Sequence, residues 1–577
     1  MSKLNIDRET IKELFGNNKI NFLIPDYQRP YAWEEKECQT LWDDLRSFAF
    51  PDNNCDNFNS DNQEYFLGSI VMFKNDEKKM EIIDGQQRIT TLMLLLRAFY
   101  EKYGKMQNDK AIRTAKIIGQ CIWKTDEYEE ADKNVLKINS EVATESDREE
   151  FINILKTGET TANEDSNYAN NYRFFQNKIT EFLNAYPDWF SLFPLRIMNN
   201  CILLPIEAES QDTALCIFST LNNRGKPLSD SDIFKAQFYK FFTGLNKKDE
   251  FIAKWKELEA TCISVFRSQS GSAIDEIFSR YMYCERAKAG ITSSTTEGLR
   301  KFYQKNDYAL LKSEETFNNL IDLANFWRDV AIQNQDRFSD RVLKKFFVLN
   351  YSPNSMWTYI VSVYYMSNRD DNGSIDDEKF FNFLDKIIAF TLAYSMTNPG
   401  INALRTPIFA EMINIVTDKP VTFGRYIFTP NKLKTTLNDY MFGNTRPITK
   451  SILTWWAFQN QNQQLLPLET DLEIEHIYSH RRENKLSTSK NMESLGNKSI
   501  LEKRVNIRAS DYKFSDKVKY YKGQETRNGQ KKEGTKIQEL LDLADTCDDF
   551  NEIDIVKRKA EIVQSFINYV KDNTTAY

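Results

Sequence analysis

The stretch LEIEHIYSH, residues 472–480, contains both histidines of this 577-residue chain. Its polar and apolar side chains alternate, which is typical of a β-strand. Further along, the stretch SLGNKSIL, residues 494–501, precedes a helical segment. Together they predict a β-β-α unit, with His476 on the first strand, Asn497 near the second and Asn506 in the helix.

The residue types in this unit suit phosphodiester hydrolysis. Such a reaction needs a base that activates water and a cation that stabilises charge on the phosphate oxygens. Histidine changes protonation near neutral pH and can serve as the base. A carboxylate and an amide carbonyl, as in Glu475 and Asn506, are hard ligands that suit Mg²⁺ or Mn²⁺. The unit therefore predicts a metal-dependent nuclease centre.

A helical conformation of the same stretch would have a different meaning. It would place His476 and His480 on one helix face, at the i, i+4 spacing of zinc ligands. The glutamate of a zinc protease lies between its histidines, but Ile477, Tyr478 and Ser479 occupy those positions here. No third ligand is evident in the sequence, so protease and structural zinc sites are less favoured. The simplest alternative is a hydrogen-bonded core histidine.

The charge distribution points to a nucleic-acid partner. The chain has a net charge of −7, yet residues 481–536 contain 16 Lys and Arg against 7 Asp and Glu, which makes that segment +9 and the remainder −16. A basic segment beside the histidines is what a phosphodiester substrate requires. Lys513, Lys517 and Lys519 could hold a DNA phosphate. The alternative is a solvated helical surface.

Composition places the chain among globular intracellular proteins. Its length predicts two to four domains at ~100–200 residues each. The eight cysteines are scattered without a CxxC pair, as expected in a reducing cytoplasm. The charged N-terminus does not resemble a secretory leader. The longest apolar run, residues 387–396, is shorter than the ~20 residues that span a bilayer. We therefore expect a cytoplasmic protein without a membrane partner.

A second candidate site lies near the N-terminus. Residues 65–73 and 80–83 predict a β-hairpin, and residues 89–103 have helical periodicity. The sequence between them, DGQQR at 84–88, predicts a tight turn that presents backbone N–H groups to an anion. Arg88 would meet that anion. The alternative is an ordinary turn before a helix.

Two loops could add to this site. Gln, Arg, Tyr and Trp in the segment 22–33 could grip a base and a phosphate, although an anchoring loop with buried aromatics is the alternative. The turn NNRGKPL at 222–228 is a further candidate anion site, or an ordinary helix connection. Ser229 and Asp232 after it predict a helix start with a capping box.

The fold class predicted is α+β with helices predominating. Three domains are expected. Residues 1–245 would form an N-terminal α+β domain that includes a helical insertion, residues 246–440 a helical scaffold, and residues 441–577 a ββα nuclease domain. Helices are predicted in the scaffold at 248–268, 272–287, 296–304, 314–333, 339–348, 353–367, 375–397 and 405–416.

The motifs together resemble the GmrSD family of modification-dependent, type IV-like restriction endonucleases. The resemblance covers roughly residues 10–245 and 440–565, and its C-terminal part resembles an HNH (His-Me finger) nuclease. The motifs that carry it are IPDYQRPYAW at 24–33, DGQQR at 84–88, LNNRGKPL at 221–228, IEHI at 474–477, LGN at 495–497 and Asn506.

The resemblance implies roles for individual residues. His476 would be the general base and Asn497 would brace the motif or orient the base. Glu475 and Asn506 would hold the metal, and Asn506 would complete the catalytic set. The residues expected to contact DNA are His480, Lys498, Lys513, Lys517 and Lys519. The N-terminal domain would have a ParB/sulfiredoxin-like fold, whose expected nucleotide-binding residues are Gln28, Arg29, Tyr31, Asp84, Gly85, Gln86, Gln87, Arg88, Arg224 and Lys226.

The function expected is an NTP-regulated, Mg²⁺- or Mn²⁺-dependent endonuclease of antiphage defence that cleaves modified double-stranded phage DNA. The N-terminal domain would also act as an NTPase on GTP, ATP or another nucleotide. The chain departs from the family pattern at one position. The family usually has His-x-x-Pro, whereas this chain has Ser479 at the proline position. The alternative is a nucleotide-binding sensor that binds nucleic acid without cutting it. Homo-oligomerisation is left open.

Overall fold

A computed structural model of the chain describes most of its residues, in two compact units at Met1–Ile252 and Ala253–Tyr577. The fold is α+β and mainly helical, as predicted. None of the helices in the described ranges is both long enough and apolar enough for a membrane span. The described residues are 5–51, 63–142, 145–161, 166–211, 213–214, 217, 229–266, 272–293, 295–398, 403–426, 428–440, 442–525 and 531–574.

The N-terminal unit is built on a seven-stranded mixed sheet in the order β1-β9-β4-β5-β3-β8, with β2 also paired to β9. A separate hairpin joins β6 and β7. The strands are β1 Asn5–Ile6, β2 Glu9–Thr10, β3 Phe22–Ile24, β4 Tyr65–Lys74, β5 Met80–Asp84, β6 Trp123–Thr125, β7 Ala131–Leu136, β8 Ile138–Ser140 and β9 Cys201–Ala208.

The described helices of this unit up to residue 244 follow in chain order. They are α1 Ile11–Gly16, α2 Glu35–Ala49, α3 Gln86–Tyr103, α4 Asp109–Ile122, α5 Glu145–Thr157, α6 Asn167–Ala185, α7 Leu192–Asn200 and α8 Asp230–Gly244. The capping box predicted at the start of α8 is present, with Ser229 and Asp232 bonded reciprocally.

The central hairpin and helix of this unit confirm the prediction from residues 65–103. Strands β4 and β5 pair antiparallel, with Lys74 opposite Met80, and β4 also pairs parallel to β9. Helix α3 begins at Gln86, three residues before the periodic segment, because Gly85 caps it in a left-handed conformation. Its apolar side chains from Ile89 to Phe99 are almost all buried in the unit's main core.

The helices predicted for residues 248–416 are all present, with ends shifted by a few residues. They are α9 Lys248–Val265, α10 Ala273–Lys288, α11 Leu299–Tyr303, α12 Lys305–Tyr308, α13 Glu314–Ala331, α14 Asp340–Asn350, α15 Met356–Asn368, α16 Asp377–Thr397 and α17 Arg405–Val416.

The last part of the chain contains the order strand, strand, helix that the sequence predicts. Strands β10 and β11 pair antiparallel, with His476 opposite Lys498. The elements are α18 Pro430–Asp439, α19 Pro447–Ala457, β10 Leu472–His476, β11 Lys498–Glu502, α20 Lys503–Ala509, α21 Phe514–Lys522, β12 Gln524–Glu525, β13 Lys531–Lys532, α22 Gln538–Thr546 and α23 Glu552–Asn573.

Candidate functional site

His476 ends strand β10 and meets a carboxylate that the sequence analysis did not single out. Its Nε2 lies 3.2 Å from Oε1 of Glu493. The ring of His480 lies 4.5 Å from the His476 ring, centroid to centroid, and the His480 Nε2 is 4.0 Å from the same carboxylate oxygen. The three side chains therefore converge on one point, with their ligand-capable atoms within 4.8 Å of one another.

Asn497 holds the loop that joins the two histidines. Its side chain is fully buried. The carbonyl Oδ1 accepts a hydrogen bond from the Tyr478 N–H at 2.6 Å, and Nδ2 donates to the Met492 carbonyl at 3.0 Å. The Asn497 carbonyl also accepts from the Ile477 N–H. These contacts fit the bracing role suggested by the resemblance, since they fix the backbone that follows His476.

Gly496 explains the small residue in the LGN motif. A Cβ at this position would lie 1.9 Å from the Ile555 carbonyl oxygen in α23, so only glycine allows this close approach. Arg558 of the same helix donates from Nη1 to the carbonyls of Leu495, Gly496 and Lys498. Helix α23 thereby fixes the loop from behind.

Ser479 stands where the resembled family usually has proline, and its backbone has a conformation that proline could also adopt. Its backbone angles, φ −69° and ψ 138°, are those of proline. Its hydroxyl donates to Asp511, whose carboxylate also accepts from the N–H groups of His480 and Arg481. With Ser479 at this position, the backbone N–H of His480 is still held by Asp511.

The His476 imidazole is held in its neutral form. Burial, together with a smaller effect of the Lys498 ammonium, lowers the pKa of His476 to about 4, against the opposing charge of Glu493. A neutral imidazole that hydrogen-bonds a carboxylate through Nε2 carries its proton there. The lone pair of Nδ1 is then available to accept a proton.

The structure does not bring Glu475 and Asn506 together through a hydrogen bond. Glu475 is buried and its Oε1 accepts from Lys517 at 2.8 Å and Tyr521 at 2.6 Å. Asn506 instead donates from Nδ2 to Glu473 at 2.8 Å. Glu473 and Glu475 are two residues apart on β10, so both point to the same strand face.

Two of the lysines expected to contact DNA lie inside the domain, which corrects that prediction. Lys498 and Lys517 are 0% and 1% exposed. Lys498 bonds the Phe442 carbonyl and Oε2 of Glu493, and Lys517 bonds Glu475. Both ammonium groups satisfy buried acceptors instead of solvent-facing phosphate. The other three residues of the set, His480, Lys513 and Lys519, are exposed.

Basic side chains do line a cavity of about 670 Å³ next to α20. Within the described residues, Arg508 has a buried Nη1 without a hydrogen-bond partner, while its Nη2 donates to the Glu533 carbonyl. The basic residues of this cavity are Arg504, Arg508, Lys531, Lys532 and Lys536.

A second cavity, of about 410 Å³, runs beside strand β10. Its lining includes Glu473 and Asn506 together with Arg446 and Lys450. It therefore combines oxygen ligands with cationic side chains in one open cleft.

In the N-terminal unit, Gly85 shapes the start of α3. Its φ of +92° is left-handed, and a Cβ would lie 3.1 Å from Cγ1 of Ile70. Any other residue would be strained there. The tight turn therefore places the free N–H groups of the first helical turn after β5, as the sequence predicts.

Asp84, Arg88 and Arg29 form the charged part of this region. Burial raises the pKa of Asp84, whereas the Gly85 N–H and the charges of Arg88 and Arg29 oppose that rise. Arg88 donates from Nη1 to the Ser69 carbonyl at 3.0 Å. In the described part of the chain, Nε of Arg29 is buried without a hydrogen-bond partner. These groups could meet an anionic ligand.

Three residues predicted to face the nucleotide make structural contacts within the unit. Tyr31 is buried, stacks on Tyr168 and bonds Thr91 through its hydroxyl. Gln87 clips the preceding loop, because it accepts from the Ala32 N–H at 2.7 Å and donates to the Pro30 carbonyl at 3.0 Å.

The third is Gln28, which is 6% exposed and donates to the Ile83 carbonyl at 3.1 Å. Gln86 is also largely buried. Arg224 and Lys226, together with the rest of the turn at 222–228, lie outside the described residues.

Comparison with known proteins shows what the N-terminal unit is similar to. Residues 11–239 match the family model described as the GmrSD restriction endonuclease, N-terminal domain. No curated protein matches the chain. The matched range includes the DGQQR turn and the segment 24–33, and it ends before the part of the chain that contains the histidines.

Proposed function

Because residues 11–239 match the model of the GmrSD restriction endonuclease N-terminal domain, we propose that the chain is an NTP-regulated, divalent-metal-dependent DNA endonuclease of antiphage defence. The C-terminal ββα unit, of HNH type, makes the cut, and modified phage DNA is the substrate. The family supplies DNA as the partner. The finer features rest on the chemistry of the two candidate sites.

The observation that carries the proposal is the state of His476. Its imidazole is neutral, and a carboxylate at 3.2 Å holds its Nε2. A base oriented by a carboxylate is a recurring arrangement in hydrolases. In this geometry Nδ1 of His476 accepts the proton of a water molecule as that water attacks phosphorus. Asn497 keeps the base in place by fixing the loop at Tyr478.

The oxygen ligands for Mg²⁺ or Mn²⁺ would come from one face of strand β10 and from Asn506 on helix α20, which bonds Glu473 of that face. Asn506 bonds Glu473 through Nδ2, and among the described residues its Oδ1 has no recorded hydrogen bond, so it could bind a hard cation. Glu475 shares that face and would join the set on release from Lys517. When bound, the cation would stabilise negative charge on the phosphate and on the leaving oxygen.

Exposed and partly exposed basic residues would hold the DNA backbone. The basic cavity beside α20 contains Arg508, whose Nη1 has no hydrogen-bond partner in the described ranges. Lys513 directly precedes helix α21 and Lys519 lies within it, and both side chains are exposed. Phosphate contacts of this kind give affinity without sequence selectivity, so they suit an enzyme that recognises its substrate by a base modification.

The nucleotide would bind at the start of α3. The N–H groups after Gly85 and the cations Arg88 and Arg29 suit a triphosphate, and Asp84 could hold its metal ion. Gln86 would add a polar contact. Arg224 and Lys226 keep their expected role as anion ligands of the same site. GTP, ATP or another nucleotide could be the one bound.

A direct test is cleavage of DNA from phages with modified and with unmodified bases, with Mg²⁺ or Mn²⁺ and with each NTP or none. We expect cleavage of at least one modified genome and an NTP-dependent rate. Intact DNA under every condition, with NTP-dependent binding to DNA, would favour the alternative of a sensor that binds without cutting.

A further inference from the structure

We propose that His476, His480 and Glu493 bind one transition-metal ion of the Zn²⁺ class, and that this ion switches off the base function of His476. The first half of this inference concerns metal binding alone. The second half rests on the proposed nuclease function.

The positions of the three side chains already approach a coordination sphere. The Glu493 Oε1 is 3.2 Å from the His476 Nε2 and 4.0 Å from the His480 Nε2. Ligand atoms around a tetrahedral ion are ~3.3–3.6 Å apart, as follows from metal–ligand distances of ~2.0–2.2 Å. Small rotations of the exposed His480 and the half-buried Glu493 side chains would therefore close the site.

The ligand types select the class of metal. Two imidazoles and one carboxylate suit Zn²⁺, Co²⁺ and related ions, whereas Mg²⁺ prefers oxygen ligands alone. Three protein ligands with a partly exposed fourth position are typical of open zinc sites. The sequence suggested zinc-like spacing of the histidines but offered no third ligand, and Glu493 supplies one.

The surrounding residues hold the ligands in place. Glu483 Oε2 lies 3.7 Å from Nδ1 of His480, as in the carboxylate–histidine–metal arrangement that orients a ligating imidazole. Lys498 bonds Oε2 of Glu493, which leaves Oε1 directed at the histidines. The Lys498 charge opposes a dication and reduces its affinity, whereas Glu483 adds a compensating negative charge.

A metal on His476 would change which ring nitrogen carries the proton. A neutral imidazole bound through Nε2 must be protonated on Nδ1. The Nδ1 lone pair that would accept a proton from water is then absent. An ion at this site therefore inhibits cleavage that depends on Mg²⁺ or Mn²⁺.

The test is a Co²⁺ titration of the full-length protein, followed by visible absorption. We expect d–d bands of a four-coordinate ion at one equivalent, and loss of these bands on addition of Zn²⁺. H480A and E493Q should each weaken Co²⁺ binding by about 100-fold, and E483Q by about tenfold, the scale of losses around metal ligands. The control is E469Q, because Glu469 is exposed and outside the cluster.

Two results would overturn metal binding: no four-coordinate bands in the wild-type protein, or bands that persist in both H480A and E493Q. His480 is on the surface, so H480A should keep the wild-type melting temperature and remain interpretable. In the wild-type protein, Zn²⁺ should inhibit Mg²⁺-dependent cleavage over the concentrations at which it displaces Co²⁺. Metal binding without inhibition of cleavage would reject the switch. If the protein cleaves no DNA at all, the Co²⁺ titration still tests metal binding by itself.

Discussion

At the scale of single residues, Asn497 determines the shape of the loop that follows His476. N497A would leave the Tyr478 N–H and the Met492 carbonyl without their partner inside the domain. A buried unsatisfied group costs ~1–3 kcal/mol, so we expect the free energy of unfolding to fall by about 2–4 kcal/mol. Urea unfolding of the full chain measures this effect.

The matched control for that substitution is N462A, at an exposed asparagine of the same unit. Surface substitutions usually change stability by less than ~0.5 kcal/mol. If N497A and N462A were equally stable, Asn497 would not brace the loop.

The buried pair of Glu475 and Lys517 gives a second prediction at this scale. The two side chains are 5% and 1% exposed. K517M leaves the Glu475 carboxylate buried without its cation, which should cost ~3–5 kcal/mol. The double variant E475L/K517M should recover most of that loss because it removes both charges. Thermal unfolding of the two variants distinguishes an ion pair from simple packing, since packing loss alone would make the double variant worse.

Residue roles were only partly predictable from the sequence. Strand alternation and the following helix correctly predicted where His476, Asn497 and Asn506 lie. The pairing partners were not predictable, because Glu493 reaches His476 through tertiary packing. The sequence also could not reveal that Tyr31 would be buried, since a buried aromatic anchor and an exposed stacking residue have the same local pattern. A carboxylate directly before the SLGN stretch was the one available signal for Glu493.

At the scale of elements, Lys137 joins the ends of two helices in the N-terminal unit. Its ammonium donates to the carbonyls of Phe15 and Gly16 at the end of α1 and of Gln120 near the end of α4. K137M removes the donor from three acceptors, and we expect a loss of about 2–4 kcal/mol near neutral pH. Urea unfolding of the wild-type protein and K137M at pH 7.5 measures this loss of stability.

The same residue predicts a pH dependence. Burial lowers the pKa of Lys137 to about 8, below the ~10.4 of an exposed lysine. The unfolded chain therefore binds more protons between these values, and the wild-type protein gains stability with rising pH in that window. Because K137M lacks this group, the stability difference between the two proteins should widen from pH 8 to pH 10. A constant difference would contradict the burial of an ionised Lys137.

Elements were more predictable than residue roles. Periodicity located all eight helices expected between residues 248 and 416, because each buries one apolar face. Their ends moved by a few residues, since caps and left-handed positions set them, as Gly85 does for α3. The pairing of β4 with both β5 and β9 was beyond local patterns, because the partner β9 is far away in the chain.

At the scale of the whole molecule, the proposed nucleotide site should control the proposed nuclease. R88A removes a cation beside Asp84 and should lower NTP turnover at least tenfold. If the two sites are energetically coupled, R88A should also lose the NTP dependence of DNA cleavage. Parallel assays of NTP hydrolysis and DNA cleavage measure both. R113A, at an exposed arginine of the same unit, is the matched control. Cleavage that still responds to NTP as in the wild-type protein would uncouple the units.

The central claim is that the C-terminal unit cuts DNA with His476 as base. The most direct measurement compares wild-type protein, H476A and E469Q for cleavage of phage DNA with Mg²⁺ or Mn²⁺ and NTP. General-base catalysis contributes ~10²–10⁴-fold, so H476A should lose at least that factor while E469Q stays active and all three melt alike. Cleavage by H476A at the wild-type rate would contradict the claim.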